Sequence, residues 1–245
     1  MHSALVKQRA LALIAGGVND CEVARQLGIA RTTVRDWRAP RYVSKRTATC
    51  PRCWRPVHDL RFTSSDYALL LGLYLGDGHI VRMARTFRLR IFMDGRYHDM
   101  ITAARDVVAT VLATDRVHRV TMYDGSMVVV SAYSTHLPCL FPQHGPGKKH
   151  ERRIALESWQ EAHVDAAPWA FLQGCIWSDG CHFVNRTGPY EYLSYSFDNY
   201  SRDVLDLFSS TCDRVGVEHR RYEKSIRIYR RMAVAAMVEH VGFKS

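Results

Sequence analysis

Two aspartates, Asp77 and Asp179, each close an apolar run and each precede a glycine. The runs are Leu70-Leu71-Gly72-Leu73-Tyr74-Leu75-Gly76-Asp77-Gly78 and Leu172-Gln173-Gly174-Cys175-Ile176-Trp177-Ser178-Asp179-Gly180. Small residues recur four apart: Gly72 and Gly76 in one run, Gly174 and Ser178 in the other. Positions i and i+4 share a helix face, so these residues would let two helix backbones approach closely. Glycine after the aspartate predicts a left-handed helix end, with each carboxylate in the last turn. A carboxylate is poorly placed there, because a helix C-terminus carries partial negative charge. Packing through the small faces would bring both carboxylates to one end. Two like charges so placed call for a cation, and a divalent metal is the obvious one. One such stretch alone reads as a buried helix followed by an Asp-Gly turn. The same features twice, each followed by a basic, alternating segment, point to a function.

The two runs resemble the paired LAGLIDADG motifs of homing endonucleases, and the resemblance extends from about Asp66 to the C-terminus. It implies two pseudo-symmetric αββαββα repeats packed through their motif helices, at 65–141 and 165–245. The packing would run through Gly72, Gly76, Gly174 and Ser178. The family's metal-binding acidic residues map onto Asp77 and Asp179, which makes these the catalytic pair, with Mg2+ or Mn2+ as the ion. The sequence departs from the name-giving pattern at Leu75 and Gly76, and at Trp177 and Ser178, which stand where that pattern has Asp and Ala.

The chain of 245 residues carries a formal net charge of +10, which suits a polyanionic partner. Its seven cysteines show no regular framework and read as reduced thiols. The first residues lack a secretory apolar region, and no apolar run approaches membrane-spanning length. An intracellular, cytoplasmic and nucleoid-associated protein with no membrane partner is expected.

Residues 1–40 read as a small helical domain. Apolar positions from Leu5 to Trp37 fit three short helices, with Asp20 as the N-cap of the second and Gly28 as its end. The pattern resembles the helix-turn-helix of transposases and small regulators, whose second helix enters the major groove. Arg31, Thr32, Thr33 and Arg35 would make its contacts; packing or dimerisation is the alternative use. Residues 41–64 read as a basic linker. Within it Cys50-Pro51-Arg52-Cys53 forms a C-x-x-C pair, with His58 as a third ligand for a structural Zn2+; two cysteines in a loop is the alternative.

In the first repeat, Phe87-Arg88-Leu89-Arg90-Ile91 alternates as a strand with a basic face. Strand pairs of this kind read DNA, although a solvated outer face would look the same. A helix over Asp99 to Leu112, strands over Val117 to Met122 and Met127 to Ala132 turned at Asp124-Gly125, and a short helix from Thr135 follow. Residues 142–164 are a Gly- and Pro-bearing connector that includes Lys148 and Lys149. The second repeat restates the order: a hairpin over Cys181 to Arg186 and Tyr190 to Phe197, a helix over Ser201 to Val215, strands over Val217 to Tyr222 and Ser225 to Tyr229, and a helix over Met232 to Val241. Mixed hairpins and helices give an α+β class. DNA contacts are expected from Arg88, Arg90, Lys148, Lys149, Arg186, Lys224 and Arg227. His79 and His182 follow the two Asp-Gly pairs closely enough to border the metal. By the resemblance, a basic residue near the acidic pair assists, with Lys148, Lys149, Lys224, Arg227 and Lys244 as candidates. The first hairpin carries Arg88 and Arg90 where the second carries Tyr190, Tyr192 and Tyr195.

The leading expectation is a site-specific, metal-dependent double-strand DNA endonuclease, working as a monomer by in-line hydrolysis without a covalent protein intermediate. A non-cleaving DNA-binding transcriptional regulator of the same fold is the alternative, followed by an RNA-binding intron maturase.

Overall fold

Around Val23 and Val34, three helices of the N-terminal unit close a small core with Ala10. The computed structural model describes residues 3–38, 48–50, 56–57 and 62–244; the chain divides into two units, Met1–Thr47 and Ala48–Ser245. Helix α1 spans Ala4–Ala15, α2 Asp20–Leu27 and α3 Arg31–Arg38. Asn19, not Asp20, caps α2: its Oδ1 accepts from the N–H groups of Cys21 and Glu22, leaving Asp20 in the first turn to bind Arg38 (2.7 Å). Gly28 ends α2 at φ +61°, a conformation glycine takes without steric cost. Val34 turns inward, while Arg31, Thr32 and Arg35 are exposed and Thr33 is half-buried.

The larger unit opens with a two-residue antiparallel pair, β1 (Ala48–Thr49) and β2 (Pro56–Val57). Cys53 and His58 of the predicted zinc set lie outside the described residues. Helix α4 (Ser64–Leu75) begins at a reciprocal capping box between Thr63 and Asp66. It leads into β3 (Gly78–Arg82), β4 (Phe87–Asp94), α5 (His98–Val111), β5 (His118–Met122), β6 (Met127–Ser134) and α6 (Leu137–Leu140). A connection containing α7 (Ser158–Ala166) follows. The second copy then runs through α8 (Pro168–Asp179), β7 (Gly180–Thr187), β8 (Tyr190–Asp198), α9 (Arg202–Arg214), β9 (Arg220–Arg221), β10 (Ser225–Ile228) and α10 (Arg231–His240). Each copy reads αββαββα. The sheets have matching orders, β3-β4-β6-β5 and β7-β8-β10-β9.

Two expected strands differ in extent. Met127–Ser134 is longer than expected because it pairs with β4 along its whole length. The stretch from Val217 to Tyr222 shrinks to Arg220–Arg221, because Val217 is buried and its N–H closes the end of α9 on the Cys212 carbonyl (2.9 Å).

The two copies meet through α4 and α8. A Cβ on Gly72 would lie 2.5 Å from the Phe171 carbonyl oxygen and 2.8 Å from the Cys175 nitrogen. Gly174 faces Leu69, Leu73 and Gly72 equally closely, and Gly76 faces the Ser178 side chain. Main chain therefore touches main chain, and the predicted small-residue face is the contact. Ser178 satisfies its hydroxyl inside α8, donating to the Gly174 and Cys175 carbonyls at 2.9 and 3.0 Å.

A buried polar knot ties the connection to α4. The Tyr67 hydroxyl donates to the Leu140 carbonyl (2.6 Å) and accepts from Gln160 (2.7 Å), while Gln143 donates to Gln160 and to the Ala155 carbonyl. Arg152 donates to the carbonyls of Gln143 and Gly147. Buried groups so matched fix the path of residues 142–160.

Candidate metal-binding seam and basic sheet faces

The closely packed pair of helices brings Asp77 and Asp179 to one cavity, lined also by His79, His144, Lys149 and Asn199. The two Asp-Gly pairs do not form left-handed helix ends. Helix α4 stops at Leu75, so Asp77 lies just beyond it, whereas Asp179 is the last residue of α8. Gly180 is extended (φ −98°, ψ 169°) and starts β7. These glycines answer a need for space. A Cβ on Gly78 would lie 2.7 Å from the Tyr74 carbonyl oxygen, and one on Gly180 would lie 2.6 Å from Ile176 Cα. Each strand thus turns straight back over the last helical turn, and its aspartate is set at the bend.

Both carboxyls are half-buried. Burial pushes the Asp77 carboxyl up to about 6; the neighbouring Asp179 adds to this, and Lys244 and Lys149 pull against it. Burial also raises Asp179, against the pull of Lys149, a hydrogen bond from Asn199 Nδ2 (2.6 Å) and Lys244. Two desolvated like charges disfavour double ionisation.

Lys149 and Lys244 occupy matching places after the last helix of each copy. Lys149 Nζ donates to the carbonyls of Tyr74 (2.7 Å), Leu75 (2.9 Å) and Gly76, capping the end of α4. Lys244 Nζ donates to the Ser178 carbonyl at 2.8 Å. Burial lowers Lys149 to about 8, opposed by Asp179 and Asp77; burial also lowers Lys244, opposed first by Asp77. Of the five basic candidates, these two are the ones whose charge acts on both carboxyls. Lys148 is exposed beside Glu151, Lys224 lies over the Tyr200 ring, and Arg227 lies over Phe183 on the sheet.

His79 lines the cavity, and Arg90 Nη2 donates to its Nδ1 at 3.0 Å. Its lowered pKa, from burial and then Arg90, agrees with a neutral ring accepting there. His182 packs instead on Phe243 and Tyr195, away from that lining. Asn199 was not foreseen. The only sequence signal was its place after Asp198, matching Gly95 after Asp94 in the first copy.

On β4, Leu89, Ile91 and Met93 are buried, while the alternate residues Arg88 and Arg90 turn to the other face. Arg88 Nη2 donates to Ser131 Oγ (3.0 Å) beneath the Tyr133 ring. The Nε donors of Arg88 and Arg90 are buried without a partner among the described residues. In the second sheet, Phe183, Asn185, Ser194, Tyr222 and Arg227 line a shallow face. Arg186 pairs across the hairpin with Glu191 (2.8 Å). Tyr190 and Tyr192 are exposed, but Tyr195 is buried and its hydroxyl donates to the Gly242 carbonyl (2.9 Å). The strand's alternation puts Tyr195 on the core face, so it cannot meet a ligand on the open one.

The topology is two pseudo-symmetric αββαββα copies packed through α4 and α8, as the LAGLIDADG resemblance implied, preceded by a helix-turn-helix-like region. Residues 1–39 match the family described as a homeodomain-like domain. No curated protein matches the chain. Among solved structures it is similar to I-DmoI in complex with DNA and Mn, at 13% identity over 73% of this chain and 97% of that one, with TM-score 0.48. It is also similar to the N-terminal LAGLIDADG domain of DUF199/WhiA, at 11% identity over 76% and 85%, with TM-score 0.47. The meganuclease I-AabMI bound to uncleaved DNA matches at 11% identity over 71% and 82%, with TM-score 0.44. Among the described residues, no helix is long and apolar enough to cross a membrane.

Proposed function

We propose that the chain binds double-stranded DNA and cuts it at a specific site with a divalent metal held by Asp77 and Asp179. The observation that carries this reading is the convergence of two half-buried carboxylates on one cavity, with two lysines beside them. Oxygen donors that repel one another and are partly desolvated suit a hard divalent ion such as Mg2+ or Mn2+. When bound, such an ion supplies Lewis-acid stabilisation of a phosphodiester undergoing hydrolysis. The lysines divide their work. Lys149 spends its three N–H donors on main-chain carbonyls, so it is a fixed positive cap. Lys244 bonds one carbonyl among the described residues and keeps donors for a phosphate oxygen. Arg88, Arg90 and Arg227 would lie along the DNA, and Arg31, Thr32 and Arg35 would read a separate stretch of it.

A second reading, binding without cutting, is favoured by the charge balance: two ammonium groups already stand against two carboxylates. A regulator would need no more than that. The deciding experiment is selection and footprinting of a bound sequence, followed by incubation of that DNA with Mg2+ or Mn2+. Cutting by the parent, lost in Asp77→Asn and Asp179→Asn with binding retained, supports the enzyme. A parent that binds its own footprinted site and never cuts it in either metal makes the protein a regulator.

A further inference from the structure

A second group of metal-ligating side chains lies away from the aspartates. Cys50 Sγ, a ring nitrogen of His136 and Cys139 Sγ all fall within 4.8 Å of one another. Cys50 and His136 are buried, at 6% and 7% exposure, and Cys139 is half-buried. A tetrahedral ion with Zn–S of about 2.3 Å and Zn–N of about 2.0 Å holds its ligand atoms roughly 3.5–3.8 Å apart. The three atoms are therefore near the spacing of a single coordination sphere.

Local structure holds both sides of the group. Cys50 directly follows β1, and the pairing of Thr49 with Pro56 returns the chain immediately beyond it. His136 and Cys139 form an H-x-x-C turn at the start of α6. There the His136 carbonyl accepts from the N–H groups of Cys139 and Leu140, both at 2.9 Å, and the His136 N–H donates to Ser134 Oγ (3.1 Å). Spacing of i to i+3 in a helical turn puts both side chains on one face. Thiolate and imidazole donors select zinc over the hard ions that suit a carboxylate site.

We propose that Cys50, His136 and Cys139 form a structural zinc site that fastens the segment at Cys50 to the last helix of the first repeat. His136 and Cys139 come from the far end of the repeat, so the site is a long-range clasp rather than a local knuckle. Its ligands are neither of the aspartates, so it stands whether or not the chain cuts DNA.

The test uses the full chain. Metal analysis after purification should give about one zinc ion per chain. Cobalt(II) added to the metal-free chain should give the thiolate charge-transfer and d–d absorption of a tetrahedral sulfur site, bleached by one equivalent of zinc. Asp77→Asn should keep that spectrum, and Cys139→Ser should lose the charge-transfer intensity or shift it. Chelation should lower the melting temperature of the parent by about 5 °C or more, reversed by zinc and not by magnesium. The cobalt spectrum is read on the parent, so a Cys139→Ser chain that fails to fold leaves the test intact. Cobalt bound without a thiolate band, or a parent that takes up less than about half an equivalent of zinc on reconstitution, overturns the site.

Discussion

Replacing Asp77 by asparagine separates the electrostatic role of the carboxylate from its shape. The folded protein holds the Asp77 proton up to about pH 6 against an ordinary value of 3.8. At about 1.36 kcal/mol per pH unit, the ionised group costs the fold no more than about 3 kcal/mol at neutral pH. That figure already includes the opposing pull of Lys244 and Lys149. An asparagine amide is still a polar group in a partly dry place, so the recoverable gain is about 1–2 kcal/mol. The sign follows from proton counting. Between pH 3.8 and about 6 the folded state binds more protons at this site than the unfolded chain, so the parent loses stability as pH rises through that window. Asp77→Asn lacks this slope. In denaturant titrations without metal, the variant should match the parent near pH 4 and exceed it by about 1–2 kcal/mol at pH 7.5. Added Mg2+ or Mn2+ should stabilise the parent and leave the variant unchanged. A variant less stable than the parent at pH 7.5, or a difference that does not vary with pH, would refute the account of a desolvated, repelling pair.

The remaining predictions concern packing, the lysines and the DNA face. Gly72→Ala should cost about 1–3 kcal/mol by chemical denaturation, because its Cβ meets immovable main chain; Gly145→Ala, where the nearest atom is 3.5 Å away on a flexible arginine, should cost much less. Lys149→Met should destabilise the fold by stripping a cap from three carbonyls, whereas Lys244→Met should weaken cleavage more than stability; equal effects on both readouts would remove that division of labour. Arg88→Ala with Arg90→Ala should weaken DNA binding and flatten its dependence on log salt by about two contacts. The favoured site should be asymmetric and bound by a monomer, since one hairpin shows arginines and the other Tyr190 and Tyr192; a selected site of perfect two-fold symmetry would count against this.

The duplication, the small-residue faces and the order of elements were legible because each depends on local spacing. Gly72 and Gly174 could be read as contact points from period alone, and α4 and α8 meet there. The conformation of the Asp-Gly pairs was not legible. Glycine serves both positive φ and close approach, and only the folded path of β3 and β7 distinguishes the two uses. Lys149 and Lys244 could be listed as candidates but not chosen, because their reach depends on the Tyr67–Gln160–Gln143 knot and on the turn after α10. Tyr195 shares a hairpin with Tyr190 and Tyr192, but the strand's alternation turns it to the core, where the Gly242 carbonyl accepts its hydroxyl. His136 and Cys139 were invisible as partners of Cys50, because no sequence period links residues so far apart.

The contact of Gly76 with Ser178 sets what each half could do on its own. These positions correspond in the two copies, so each meets its own counterpart near the pseudo-two-fold axis. In a self-pair of first halves, glycine would face glycine and the backbones could close fully. In a self-pair of second halves, Ser178 would face Ser178, where even a methyl group on Gly76 already collides with that side chain. The serine is a peg and the glycine its socket, and a socket is present on one half only. Two second halves would have to splay apart, spreading their aspartates, whereas the joined chain keeps them at a spacing set by main-chain contact. The junction thus distinguishes left from right: a second half fits against a first half and not against another copy of itself.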